Sequence, residues 1–235
     1  MRVSTRARAI AVALCLAPAA AQAQAPAPAA SDRAFDNWSV VGSQINTGKP
    51  FEDVRAGWPS VDFGYTMNLG KSSDIGFRFG LLYGVEGTTY SQFGLGVWAP
   101  IRFDIGQTGK LNWLFHVDPG LKIYFGSSTC YYGFCANTSS TSFGISAPVG
   151  VVAGYKIQPN LEIGGGADVN LALSFTDPVN FIIGPMVGPY VEYHLADPNI
   201  AFGLNTRFGV AIPTASGSSV SFAMVIQAFA GYRLF

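Results

Sequence analysis

From about residue 37 to the end of the chain, apolar side chains recur at every second position, run after run. Successive side chains of a strand point to opposite faces, so a period of two marks a strand with one greasy face. In the last run Val220, Phe222, Met224, Ile226, Ala228, Ala230, Tyr232 and Leu234 share a face, opposed by Ser221, Ala223, Val225, Gln227, Phe229, Gly231 and Arg233. In the run before it, Ile200, Phe202, Leu204, Phe208, Val210 and Ile212 oppose Ala201, Gly203, Asn205, Arg207, Gly209 and Ala211. The same alternation runs through 61–69, 75–83, 93–105, 111–125, 143–157, 161–173 and 181–195, and more weakly through 38–45.

The connections come in two series. Short ones fall near 70–73, 106–109, 158–160 and 196–199. The others fall near 47–56, 85–90, 127–141, 176–178 and 214–218. The two series interleave without a break for ten antiparallel up-and-down strands, with both chain ends on the side of the short turns. Eight strands, with the first two runs outside the wall, is the second count.

Alternation permits two barrels, one with the greasy face inward and one with it outward. Only 12% of the residues are charged, about half the share usual in soluble domains. The polar face of each run carries Gly and Ser with one or two charges, too few for an exterior bathed in water. The same small residues suit the inside of a narrow barrel. The runs match the roughly 9–11 residues with which a tilted strand crosses hydrocarbon. A spanning sheet must close to satisfy its backbone. Tyr65, Tyr155, Tyr193 and Tyr232 fall on the greasy face near the short turns, where an interfacial aromatic belt belongs. The expected fold is an all-β, transmembrane, antiparallel barrel. Six prolines lie inside the expected strands: Pro59, Pro100, Pro119, Pro148, Pro185 and Pro189. Each removes a ladder donor from a sheet with no free edge. Bulges or strand ends are expected at several of these positions, with Pro119 splitting its run.

The N-terminus has the three parts of an export signal. Arg2, Arg6 and Arg8 precede the apolar stretch 9–17, and Ala21-Gln22-Ala23 offers a small-x-small cleavage site, placing the cut after Ala23. The apolar stretch is far shorter than the ~20 residues of a membrane helix. Cys15 has leucines on both sides, unlike a lipid-attachment cysteine. The expected organisation is a signal peptide over 1–23, a flexible Ala/Pro-rich lead over 24–36 and the barrel over 37–235. Cleavage removes three of the 14 basic side chains and none of the 14 acidic ones, leaving a net charge of −3. No basic stripe appears, so no nucleic-acid partner is expected.

With these features the chain resembles the small bacterial outer-membrane β-barrel proteins, the OmpA/OmpX/OmpW-like group, over residues 37–235. The resemblance rests on the signal peptide, the alternating hairpins and the aromatic C-terminus, Phe235. Phe235 falls out of phase with Tyr232 and Leu234, a departure from the usual form of the terminal strand. The resemblance implies residence in the cell outer membrane, contact with its lipid and lipopolysaccharide, and an assembly signal at Tyr232 and Phe235 read by the outer-membrane assembly machinery.

Parity sends several charges into the lumen. Arg78, His116, Asp118, Asp168 and Arg207 are expected near mid-height. They form either the constriction of a narrow pore or a charge-paired plug. The plug is preferred because small barrels are filled by their own side chains. His116 and His194 are the only histidines, too few converging ligands for a metal. No metal, cofactor or catalytic site is expected, and an enzyme acting on lipid is the least favoured reading. The glycine-rich 94–99 is followed at once by Pro100 and continuing alternation, so no nucleotide-binding helix starts there. Cys130 and Cys135 flank Tyr131-Tyr132-Gly133-Phe134 in a long connection. In an oxidising compartment they are expected to pair as a local disulfide, two free thiols being the alternative.

Overall fold

The computed structural model describes residues 38–42, 49–70, 72–85, 91–125, 129–131, 134–136, 141–175, 179–195, 199–214 and 219–234. The expected signal peptide and lead, and Phe235, lie outside them. Fourteen strand segments follow one another: β1 (Phe51–Trp58), β2 (Ser60–Asn68), β3 (Ser73–Leu82), β4 (Gly94–Trp98), β5 (Ile101–Thr108), β6 (Leu111–Val117), β7 (Gly120–Tyr124), β8 (Thr129–Tyr131), β9 (Phe134–Ala136), β10 (Ser142–Gln158), β11 (Leu161–Phe175), β12 (Asn180–His194), β13 (Ile200–Pro213) and β14 (Ser221–Arg233).

β4 and β5 are two pieces of one wall strand, broken at Ala99-Pro100, and β6 and β7 are two pieces of the next, broken at Asp118-Pro119. Counted so, the wall has ten antiparallel strands. β1 pairs with both β2 and β14, and β10 joins β11 to the β6/β7 strand, which closes the ring. β8 and β9 form a separate two-stranded hairpin between β7 and β10, with Cys130 and Cys135 as direct backbone partners. The side chains of this hairpin lie outside the described residues.

The strand count is the expected one, but its first member is not. The wall begins with Phe51–Trp58, a stretch read above as part of a connection. Its sequence puts Glu52 on one face and Asp53 and Arg55 on the other, so no greasy face announces it. The weak run at 38–45 does not contribute a wall strand in its described part. Residues 38–42 carry no strand and are buried inside the ring. The eight-strand count is thereby excluded. Phe51 pairs with Arg233, so the wall starts and ends at the rim of the short turns.

Pairing fixes which face is which. Phe63, Phe77, Phe79, Leu121, Phe143, Val187, Phe202 and Phe222 stand exposed on the outside. Asp53, Asp62, Asp74, Arg78, Glu162, Glu192, Arg207 and Gln227 are buried on the inside. Among the described outward positions of the wall strands, Glu52 alone is charged, and it sits at the short-turn rim between Tyr65 and Tyr232. This distribution is the reverse of a water-soluble fold.

Candidate functional site

The lumen is organised in three levels. At the short-turn end the wall supplies Glu162 and Glu192, direct partners on β11 and β12, with Tyr190 beside them. Like charges opposite one another are unfavourable, and the chain relieves the pairing with its own N-terminal segment. Glu192 accepts hydrogen bonds from Ser39 Oγ at 2.7 Å and from the backbone N–H groups of Val40 and Val41 at 3.0 and 3.2 Å. Glu162 accepts from Tyr190 Oη at 2.6 Å and from Ser39 Oγ at 3.4 Å. Gly42 closes the turn by donating to Ser39 Oγ at 2.7 Å. A Cβ at Gly42 would collide with Glu162 Oε1 and lie 2.7 Å from Tyr190 Oη, so a larger residue there would have to push both side chains aside. Trp38 is wedged between Phe51, at 5.7 Å, and the edge of His194, at 5.2 Å. Residues 38–42 thus form an internal plug, held by charge-assisted bonds of a kind worth about 1.5–3 kcal/mol each.

Above the plug lies a cavity of about 160 Å³, with Val40 and Val41 in its lining. Two ion-pair systems meet there. In the first, Asp53 accepts from Arg55 Nε and Arg78 Nη2, both at 3.0 Å, and Arg102 grips Asp74 with two nitrogens at 2.8 and 2.5 Å. Arg55 and Arg102 both reach the carbonyl of Val40, at 3.5 and 3.2 Å, which ties the plug to the wall from above. In the second, His116 stands between two carboxylates, Asp118 at 3.1 Å and Asp168 at 2.8 Å. Asp168 also accepts from Arg207 Nε at 2.7 Å, and Arg207 Nη1 donates to Asn205 Oδ1 at 2.7 Å. His116 reaches Asp168 across β10, where a Cβ on Gly150 would collide with both side chains.

The third level, toward the long connections, holds an apolar cluster. Leu82, Val85, Tyr124, Ile182, Met186, Ala211 and Ala223 pack together there, joined by Trp98. Among its polar members are Asp62, which accepts from Ser60 and Gln227 at 3.0 Å each, and Lys122, whose ammonium lies 5.7 Å from the Trp98 ring centre.

Of the lumen residues expected from sequence, His116, Asp118, Asp168 and Arg207 stand together. Arg78 faces the same cavity but belongs to the Asp53 system. Sequence reasoning missed Asp53 and Arg55 along with β1. Arg102, Asp74, Glu162 and Glu192 fall on the polar faces of the expected strands, where alternation alone does not single them out. The plug had no signal beyond a short alternation that imitates a strand. Tyr232 points outward at the short-turn rim. Among the described residues, no group of three or more His, Cys, Asp or Glu could hold a metal ion. No family model matches the sequence, and no curated protein matches it.

Proposed function

We propose that this chain is an integral β-barrel of an outer membrane, closed by its own lumen side chains and by residues 38–42, and that it serves as a structural or interaction protein through its loops. The observation that carries the reading is the inverted distribution of side chains, with ion pairs inside and bulky apolar residues outside. Tyr65, Tyr155 and Tyr193 are exposed near the short-turn rim, as suits a headgroup boundary. Export through the N-terminal signal, contact with lipid and lipopolysaccharide, and insertion guided by Tyr232 and Phe235 belong to the same reading. So does a disulfide between Cys130 and Cys135, whose placement as direct partners across a hairpin suits the bond.

The closed lumen separates this reading from a narrow channel. In planar bilayers the mature protein is expected to give no steady current. Removing 38–42 is expected to produce discrete conductance steps. Glu192→Gln, which keeps the shape but weakens the anchor of Val40 and Val41, is expected to produce brief, flickering openings. Steady, voltage-stable steps from the unaltered protein would replace the plug with a channel. A mature chain that stays monodisperse in buffer without detergent would remove the membrane reading itself.

A further inference from the structure

The wall carries an irregularity on its outer surface that the closed-barrel reading does not use. Three neighbouring ladders lapse at one level. Pairing stops at 76–77 against 99–100, at 99–100 against 118–119, and at 118–119 against 147–148. Pro100, Pro119 and Pro148 lie in these gaps, and a proline has no N–H to give. One backbone hydrogen bond crosses each gap: Gly76 N to Pro100 O at 2.7 Å, Ala99 N to Pro119 O at 2.8 Å and Asp118 N to Pro148 O at 2.9 Å. On the outside, the lapse leaves a groove of about 300 Å³ bordered by Phe77, Val97, Leu121 and Ile145. Trp98 also lines it, although Trp98 belongs to the inward phase. Trp98 also lines an inner cavity of about 90 Å³, with Asp62, Leu82 and Gln227. Trp98 is thus the residue these two hollows share.

We infer that this groove seats one acyl chain of a surrounding lipid, lying against Trp98 at the proline gap. The inference rests on the membrane reading above. The lining side chains of the groove carry no hydrogen-bonding group except the Trp98 indole, and the backbone donors in the gap are used within the wall. Water would find too few of the polar partners it needs there. An apolar hollow opening onto a greasy outer face takes hydrocarbon. Eight residues line the recess, against the roughly 20–30 per side of a stable protein interface, which leaves a single flexible chain as the occupant.

Tryptophan emission tests the seat directly, because bromine on an acyl chain quenches an indole only at contact. Two variants leave one tryptophan of interest each: W38F/W58F/W113F keeps Trp98, and W38F/W58F/W98F keeps Trp113, which is exposed on the outward face of β6. Both are placed in vesicles of phosphatidylcholine brominated midway along its chains. Trp98 is expected to be quenched comparably to Trp113 despite its inward phase. Filling the groove with Ala99→Leu is expected to lower Trp98 quenching by roughly twofold or more, by displacing the chain from van der Waals contact, and to leave Trp113 unchanged. Quenching of Trp113 without Trp98 overturns the seat and spares the membrane reading. Absence of quenching at both overturns the two together. Should the triple variants not fold, W98F and W113F alone give the answer by subtraction. The seat then requires that each remove part of the quenchable emission, and no loss in W98F overturns it.

Discussion

Two parts of the wall contain prolines and treat them differently. In β12, Pro185 and Pro189 sit within an unbroken strand. Their pairing with β11 is continuous, and only the β13 side lapses, at 184–185 and 188–189. At the second lapse, side chains stand in for backbone. Arg207 Nη1 donates to the carbonyls of Thr206 and Gly188 at 2.8 and 3.1 Å, and Thr206 Oγ1 donates to Pro189 O at 2.8 Å. Around Pro100, Pro119 and Pro148 the lapses line up across three ladders, and two strands break. A proline forfeits pairing on one side only. Whether the wall survives depends on where the neighbouring prolines fall and on whether a side chain can replace the lost donor.

Arg207 is the test with the largest expected effect. It bridges the β12 lapse and also holds Asp168 in the lumen, at 2.7 Å. Arg207→Met keeps much of the stem and removes every donor. The stability measured by urea unfolding in detergent micelles is expected to fall by about 3–5 kcal/mol, the range for breaking one partner out of a buried ion pair. Arg207→Lys is expected to fall between, because an ammonium lacks the planar fork that serves the carboxylate and the backbone carbonyls at once. A loss under about 1 kcal/mol for the methionine variant, the range of an exposed pair, would show that β12 tolerates its prolines without this bridge.

How far these features could be read from sequence follows from what alternation encodes. Period two reports which face a residue takes, so it placed nine of the wall strands and put Arg78, His116, Asp118, Asp168 and Arg207 inside. It fails where charges occupy both faces, which hid Phe51–Trp58 and with it Asp53 and Arg55. It is deceived where a short segment alternates for another reason, as 38–42 does with Trp38 and Val40 buried against the lumen wall. It cannot report partners. His116 meets Asp168 over an intervening strand, and Glu192 meets Val41 from 151 residues away. Those contacts depend on register and closure around the ring. The prolines were legible as trouble, and Pro119 does split its run. Which lapses would be repaired was not legible, because the repair at Pro189 comes from a neighbouring strand.

The aligned gaps are open to a direct experiment of intermediate size. Pro100→Ala with Pro119→Ala supplies two backbone donors where the ladders lapse. If the missing donors hold the gap open, the flanking amides of Ala99 and Asp118 are expected to exchange with deuterium about tenfold more slowly, a change of roughly 1.4 kcal/mol and within the net worth of one or two hydrogen bonds. The same exchange read at Val117 and Gly120, which are already paired, serves as the reference. Unchanged exchange at Ala99 and Asp118 would mean that side-chain packing around Trp98, rather than the absent donors, sets the gap.

The smallest expected effect belongs to Thr206, and it probes the repaired lapse alone. Thr206 occupies an outward position of β13, opposite Ile226, on the greasy face. Its hydroxyl is one of few polar groups there, and its bond to Pro189 O accounts for its presence. Thr206→Val preserves shape and removes that bond, for an expected loss of about 1 kcal/mol. The decisive form is a double-mutant cycle with Pro189→Ala. An alanine restores the backbone donor toward β13, so the hydroxyl should matter less. The cost of Thr206→Val is then expected to shrink by about 0.5 kcal/mol or more, the scale of coupling between groups in contact. Strict additivity would mean that hydroxyl and proline act independently. The difference between the two proline regions would then rest on Arg207 and on the alignment of the gaps.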